Sequence, residues 1–137
     1  MSNFSKTLDV LHRAMNVGNL RLSVYADNLA NKDVPNFKRT EVNFESALKK
    51  AILSENYKPE FIMARNDPRH VSNWKQLDYR DVRPRRVLDF TSTYNNDGNN
   101  VDPDKEINNI LENQMRYNLY AQAAAFQYGQ VALVLRS

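Results

Sequence analysis

Apolar residues recur at alternating spacings of three and four along both ends of this chain, and no other feature constrains its fold as tightly. Leu8, Leu11, Met15, Gly18, Leu22, Tyr25 and Leu29 form one seam. Ile107, Ile110, Gln114, Tyr117, Ala121, Ala124, Tyr128, Val131 and Leu135 form the other. Such a seam is the a/d stripe of a long helix packing on a partner helix. The first helix is expected over about residues 5–32, roughly 40 Å long. Ser2, Asn3 or Ser5 can cap its start, and Pro35 stops it, because the residue before a proline is pushed out of the α region. Asp102-Pro103-Asp104 opens the second helix with a capping oxygen, a proline at the first helical position and an acid in the first turn. The expected fold is mainly α, two long terminal helices packed as a coiled-coil hairpin. Gly18 is open to two readings, a mild helix penalty or a site of close backbone approach.

The segments fall at residues 1–34, 35–55, 56–100 and 101–137, as parts of one structural domain. Residues 35–43 read as an extended or looped link. Asn43 can cap a short helix from Phe44 to about Ser54, with Phe44, Ala47, Leu48, Ala51 and Ile52 on one face. The segment 56–100 is an irregular insert carrying Pro59, Pro68 and Pro84. Its apolar runs, Phe61-Ile62-Met63 and Val87-Leu88-Asp89-Phe90-Thr91, are candidates for a small β-hairpin. Asn95-Asn96-Asp97-Gly98-Asn99-Asn100 is a turn or flexible loop.

The chain offers little chemistry. It has no cysteine, which removes disulfides, thiolate catalysis and cysteine-ligated zinc. Its two histidines, His12 and His70, lie far apart without metal-binding spacing. Serine-nucleophile motifs and glycine-rich phosphate loops are lacking. The reading is a non-enzyme with no cofactor, no metal and no small-molecule substrate. No apolar run approaches the roughly 18 residues of a membrane span. The N-terminus lacks an apolar signal core, so export is expected without signal cleavage.

A net charge of +3 is compatible with nucleic acid without arguing for it. Arg83, Arg85 and Arg86 belong to the densest basic stretch, which Asp78, Asp81 and Asp89 flank or interrupt. A solvated loop, or one docking on an acidic partner, suits it better than phosphate contacts. A basic coiled-coil module binding nucleic acid is the alternative from a different class. Tyr120 and Phe126 lie off the second seam, and a second apolar face on a long helix implies more than one neighbour. With those two residues, Arg83, Arg85 and Arg86 are the candidates for contacts between subunits. A two-helix hairpin this thin needs such neighbours for stability.

The stretch ending the first helix is distinctive. Ala26, Asn28, Leu29, Ala30, Asn31, Val34, Pro35, Asn36, Phe37 and Lys38 resemble the Ala/Ser-x-Asn-Ile/Leu-Ala-Asn then Thr-Pro-Gly-Tyr-Lys signature of the flagellar rod/hook axial protein family. Val34, Asn36 and Phe37 stand where that family usually has Thr, Gly and Tyr. Asn replaces Gly well at a left-handed position, and Phe keeps the ring. Three further segments are similar to the family's proximal rod members. Glu41 to Leu48 resembles their DxxFExxL continuation. Asn66 to His70 resembles their T-x-x-x-H segment, with Asn66 in place of Thr. Asp97, Gly98, Asn99, Asn100, Val101, Asp102 and Glu106 resemble their DGNxVDxxxE helix entry.

The resemblance implies a structural subunit of the proximal rod of the flagellar basal body, a hollow shaft that transmits torque for motility. It implies export through the flagellar type III apparatus and assembly in the periplasm. The implied partners are other rod proteins, copies of the chain itself, the MS ring and the ring–rod adapter, with no nucleic acid. Another proximal rod component is the nearer alternative.

Overall fold

The computed structural model describes residues 3–57, 59–61, 63–64, 66–67, 69 and 74–136. In chain order they form α1 (Asn3–Ala30), β1 (Thr40–Asn43), α2 (Glu45–Asn56), a 3-10 turn (Tyr79–Asp81), β2 (Arg85–Leu88) and α3 (Pro103–Arg136). Two compact units divide the chain: Met1–Val42 with Arg86–Ser137, and Asn43–Arg85.

The first unit is built on α1 and α3. Asn28 meets Glu106 near one end, and Asn113 meets Gly18 further along. Later residues of α1 therefore face earlier residues of α3, and the pair is an antiparallel hairpin. From the Gly18–Asn113 pairing, α3 continues about eight residues, roughly 12 Å, past the described start of α1. Leu133, Val134 and Leu135 of that overhang are more than 70% exposed.

The packed stripe differs from the expected seam. On α1, Leu8, Val17, Gly18, Val24 and Asn28 are buried. On α3, Glu106, Asn113 and Ala124 are. Leu22 is exposed, and so are Ile107, Gln114, Tyr128 and Leu135. These five are corrected out of the seam. The physical reason is that two polar residues, Glu106 and Asn113, occupy buried positions of α3. A stripe traced through apolar residues alone slips around the helix.

Gly18 is a place of close approach. Its carbonyl accepts a hydrogen bond from Asn113 Nδ2 at 2.8 Å. A Cβ added there would stand 3.4 Å from the Tyr117 ring, at ordinary van der Waals distance.

β1 and β2 form a two-stranded antiparallel sheet. The Asp89 N–H donates to the Arg39 carbonyl at 2.9 Å, which sets Glu41 opposite Val87 and Val42 opposite Arg86. This pairing corrects the expected hairpin within the insert. Val87 and Leu88 are in a strand, but their partner is the link after α1. Phe61 and Met63 are exposed outside any regular element, and Ile62 lies outside the described residues.

In the second unit, α2 begins at Glu45, and Phe44 at its N-cap makes no side-chain capping bond. Asn43 instead accepts from the Ser46 hydroxyl at 2.7 Å. Ser54 Oγ accepts from the Leu77 N–H at 2.9 Å, tying the helix to the segment before the 3-10 turn. His70 lies outside the described residues.

Candidate functional site

The most connected region is the joint where α1 ends and α3 begins. α1 stops at Ala30, five residues before Pro35. Asn31 caps the end itself, its Nδ2 donating to the Asp27 carbonyl at 2.7 Å. This gives the Asp27 carbonyl a second, shorter bond beside the 3.3 Å one from the Asn31 N–H, at a helix end where carbonyls run out of helical partners.

Asn28, one turn earlier and 1% exposed, pairs with β1 as a neighbouring strand would. Its Oδ1 accepts from the Thr40 N–H at 2.9 Å, and its Nδ2 donates to the Thr40 carbonyl at 2.9 Å. Arg21 donates to the Val42 carbonyl at 3.1 Å. Side chains of α1 thus cover the outer edge of β1.

Below Asn28 lies a buried ion pair. Glu106 is 0% exposed and Arg39 is 3% exposed. Arg39 Nε donates to Glu106 Oε1 at 3.0 Å, and Nη2 lies 2.9 Å from the same oxygen. Glu106 Oε2 accepts from Asn28 at 3.2 Å. Arg39 Nη1 donates to Glu41 at 2.6 Å and stands 3.6 Å from Asp89. Burial works against the guanidinium charge, but Glu106 and Glu41 outweigh it and hold the Arg39 pKa above its ordinary value. A buried charge pair adds little net stability over an apolar one, yet removing Arg39 would leave the Glu106 carboxylate buried without a cation. The pair therefore fixes where α3 starts relative to the link.

The loop before α3 closes the joint. Asn99, 0% exposed, donates through Nδ2 to the carbonyls of Asn31, Lys32 and Val34 at 3.0, 3.0 and 2.8 Å. Its Oδ1 accepts from the Val101 N–H at 2.7 Å. Asn100 splices the end of the sheet, because its Oδ1 accepts from the Arg39 N–H at 2.7 Å and its Nδ2 donates to the Asp89 carbonyl at 2.7 Å. Asn36 sits at φ 60° and Gly98 at φ 83°, conformations that Asn and Gly adopt most readily. A Cβ on Gly98 would meet Asn36 Oδ1 at 2.7 Å. Lys38 Nζ donates to the Gly98 carbonyl at 2.6 Å.

Asp89 anchors the turn after β2. Its carboxylate accepts from the hydroxyls and N–H groups of Ser92 and Thr91, bonds that hold its pKa well below the usual carboxylate range. Asp102 caps α3, its Oδ1 accepting from the Asp104 and Lys105 N–H groups at 3.0 and 3.2 Å.

The joint thus gathers Asn28, Asn31, Asn36, Lys38, Gly98, Asn99, Asn100, Val101, Asp102 and Glu106. Leu29 and Phe37 are half-buried beside it, whereas Ala26, Ala30, Val34 and Pro35 are exposed. Leu11, Met15 and Tyr25 on α1, and Ile110, Tyr117, Ala121 and Val131 on α3, are half-buried. Burial raises the Tyr25 pKa, with the nearby Arg21 charge opposing it. Tyr120 is half-buried and so leaves the outward group, whereas Phe126, Arg83, Arg85 and Arg86 are exposed. Arg39, Thr40, Asp89 and Asn113 escaped the sequence reading, as did Val17 and Val24. The two valines stand seven apart and carried a usable signal, but nothing local marks Arg39 as buried.

α3 also carries an apolar stripe on its outward side. Leu111, Met115, Leu119, Phe126 and Leu133 recur at spacings of four and seven and are 49–71% exposed. At 3.6 residues per turn they lie about half a turn from Glu106, Asn113 and Ala124. α1 shows no such stripe: its exposed positions are mostly Asn, Ser, Thr, His, Asp and Ala, with Leu22 alone large and apolar. Nothing at the joint or on this stripe is suited to catalysis. Among the described residues no three His, Cys, Asp or Glu side chains could hold a metal ion. No described helix is long and apolar enough to cross a membrane.

Residues 8–38 match the family model of the flagella basal body rod protein. The chain is 44% identical over 136 residues to the flagellar basal body rod protein FlgB of Borreliella burgdorferi, covering 99% of this chain and 100% of that one. It is 31% identical over 137 residues to FlgB of Bacillus subtilis, covering 98% and 97%. With FlgB of Escherichia coli it shares 26% identity over 125 residues, covering 90% and 88%.

Proposed function

The chain belongs to the flagellar basal body rod protein family, and from that premise we propose that it builds the rod through the outward apolar face of α3. It is a structural, non-enzymatic subunit of the proximal rod. The observation carrying the role of α3 is the pair of opposed faces on one helix. The face toward α1 is closed within the chain, while the face bearing Leu111, Met115, Leu119, Phe126 and Leu133 is left to solvent. A contiguous apolar surface of this kind is a protein contact site. A shaft grows through heterologous, non-closing interfaces, and a long helix with two faces supplies one.

Its neighbours in this reading are other rod proteins and further copies of the chain, with the MS ring and the ring–rod adapter at the base. Export runs through the flagellar type III apparatus into the periplasm. The resemblance of residues 26–38 and of residues 97–106 to the family's motifs supports these partners and this route. The joint holds the two helices in register, so that torque passes along a rigid pair.

The test is Met115→Glu combined with Leu119→Glu, expressed in place of the native chain. Rods should fail to form and motility should be lost, while the purified chain keeps its helicity. Swimming cells would overturn the role of this face.

A further inference from the structure

The two edges of the small sheet are treated differently. On β1, Thr40 and Val42 turn their backbone groups outward; Asn28 of α1 takes up both groups of Thr40, and Arg21 takes up the Val42 carbonyl. On β2 the same register points the N–H and C=O of Arg86 and Leu88 outward. Among the described residues no partner meets those groups, and all four residues of β2 are exposed. An open strand edge is a template for another strand.

We propose that the outer edge of β2 receives an extended, acidic strand from a partner chain, which becomes the third strand of the sheet. This goes beyond the rod reading, which rests on α3. Charge selects the occupant. Arg85 and Arg86 project to opposite faces of β2, so a strand laid alongside meets a guanidinium on each face. A second copy of β2 paired with Arg86 opposite Arg86 would set arginine against arginine, and like charges across a strand pair destabilise it. Carboxylates at alternating positions would instead pair with Arg85 or Arg86. Leu88 and Phe90, both exposed, continue the Arg86 face and offer apolar area to the same strand.

The experiment uses the full chain, labelled with 15N, and a fluorescein-labelled heptapeptide of alternating glutamate and valine. Binding should perturb the Arg86 and Leu88 amides and slow their exchange with solvent. A lysine–valine peptide, and the glutamate peptide N-methylated on its donor edge, should each bind at least about tenfold more weakly. Arg86→Glu should weaken binding by a similar factor. Leu88→Pro removes an outward donor that no described residue uses, and it should weaken binding too. If that variant fails to fold, Arg86→Glu decides alone. The proposal is overturned if the glutamate peptide does not bind at low salt, or if N-methylation leaves binding unchanged. It is equally overturned if a single-stranded oligonucleotide protects the same amides more tightly than the peptide does. Failure here leaves the α3 reading standing, since Met115 and Leu119 are not involved.

Discussion

The joint and the outward face of α3 are opposites. At the joint, polar groups are buried and matched to partners: Glu106 to Arg39 and Asn28, and Asn99 to three carbonyls. On α3's outer side, large apolar groups are exposed and unmatched. The contrast separates two tasks. Polar networks are demanding about geometry, because each unmatched group is costly, so the joint sets shape within one chain. Apolar surface is undemanding about direction but gains by leaving water, so the α3 face suits attachment to other chains.

That division can be broken from either side. The largest effect should come from Glu106→Ala, which takes away the one fully buried carboxylate of Arg39, leaves it only Glu41 and the more distant Asp89, and should cost about 3 kcal/mol in urea unfolding. The double change Arg39→Met with Glu106→Leu should be far milder. If single and double variants were equally destabilised, the pair would not be what fixes the joint. Asn99→Ala leaves three carbonyls without their shared donor and should cost about 2–3 kcal/mol. Gly98→Ala combines a positive φ with contact against Asn36 Oδ1 at 2.7 Å, and about 1–2 kcal/mol is expected.

The smallest effect is a pH dependence. The Asp89 pKa is depressed below its ordinary 3.8, so its contribution is fully present above that value. It is lost as pH falls toward the depressed folded pKa. Asp89→Asn removes that dependence. Thermal midpoints of the two proteins should therefore converge as pH is lowered below about 4. A constant gap down to acid pH would show that the Asp89 charge is not what anchors this turn.

Much of this comparison was legible in sequence. Three-and-four spacing marked both long helices, and Asp102-Pro103 marked where α3 starts. The clustered asparagines of residues 28–36 and 95–100 marked a turn-rich joint. Phe126 off the seam pointed to a second apolar face. The register of the hairpin was hidden because Glu106 and Asn113 are buried, and polar residues carry no apolar periodicity. The partner of β2 was hidden because the pairing joins residues 39–43 to residues 85–89, a separation that no local pattern encodes. Arg39 gives no sign in sequence of being buried. Its burial depends on Glu106 arriving from the other end of the chain.

The most direct test of the two-task account uses the absence of native cysteine. Leu119→Cys places one thiol on the outer face, and maleimide labelling can be timed in the purified chain and in isolated basal bodies. The account predicts rapid labelling of the purified chain and strong protection after assembly. Equal labelling rates in both states would contradict it, because α3's outward face would then remain in water within the finished rod.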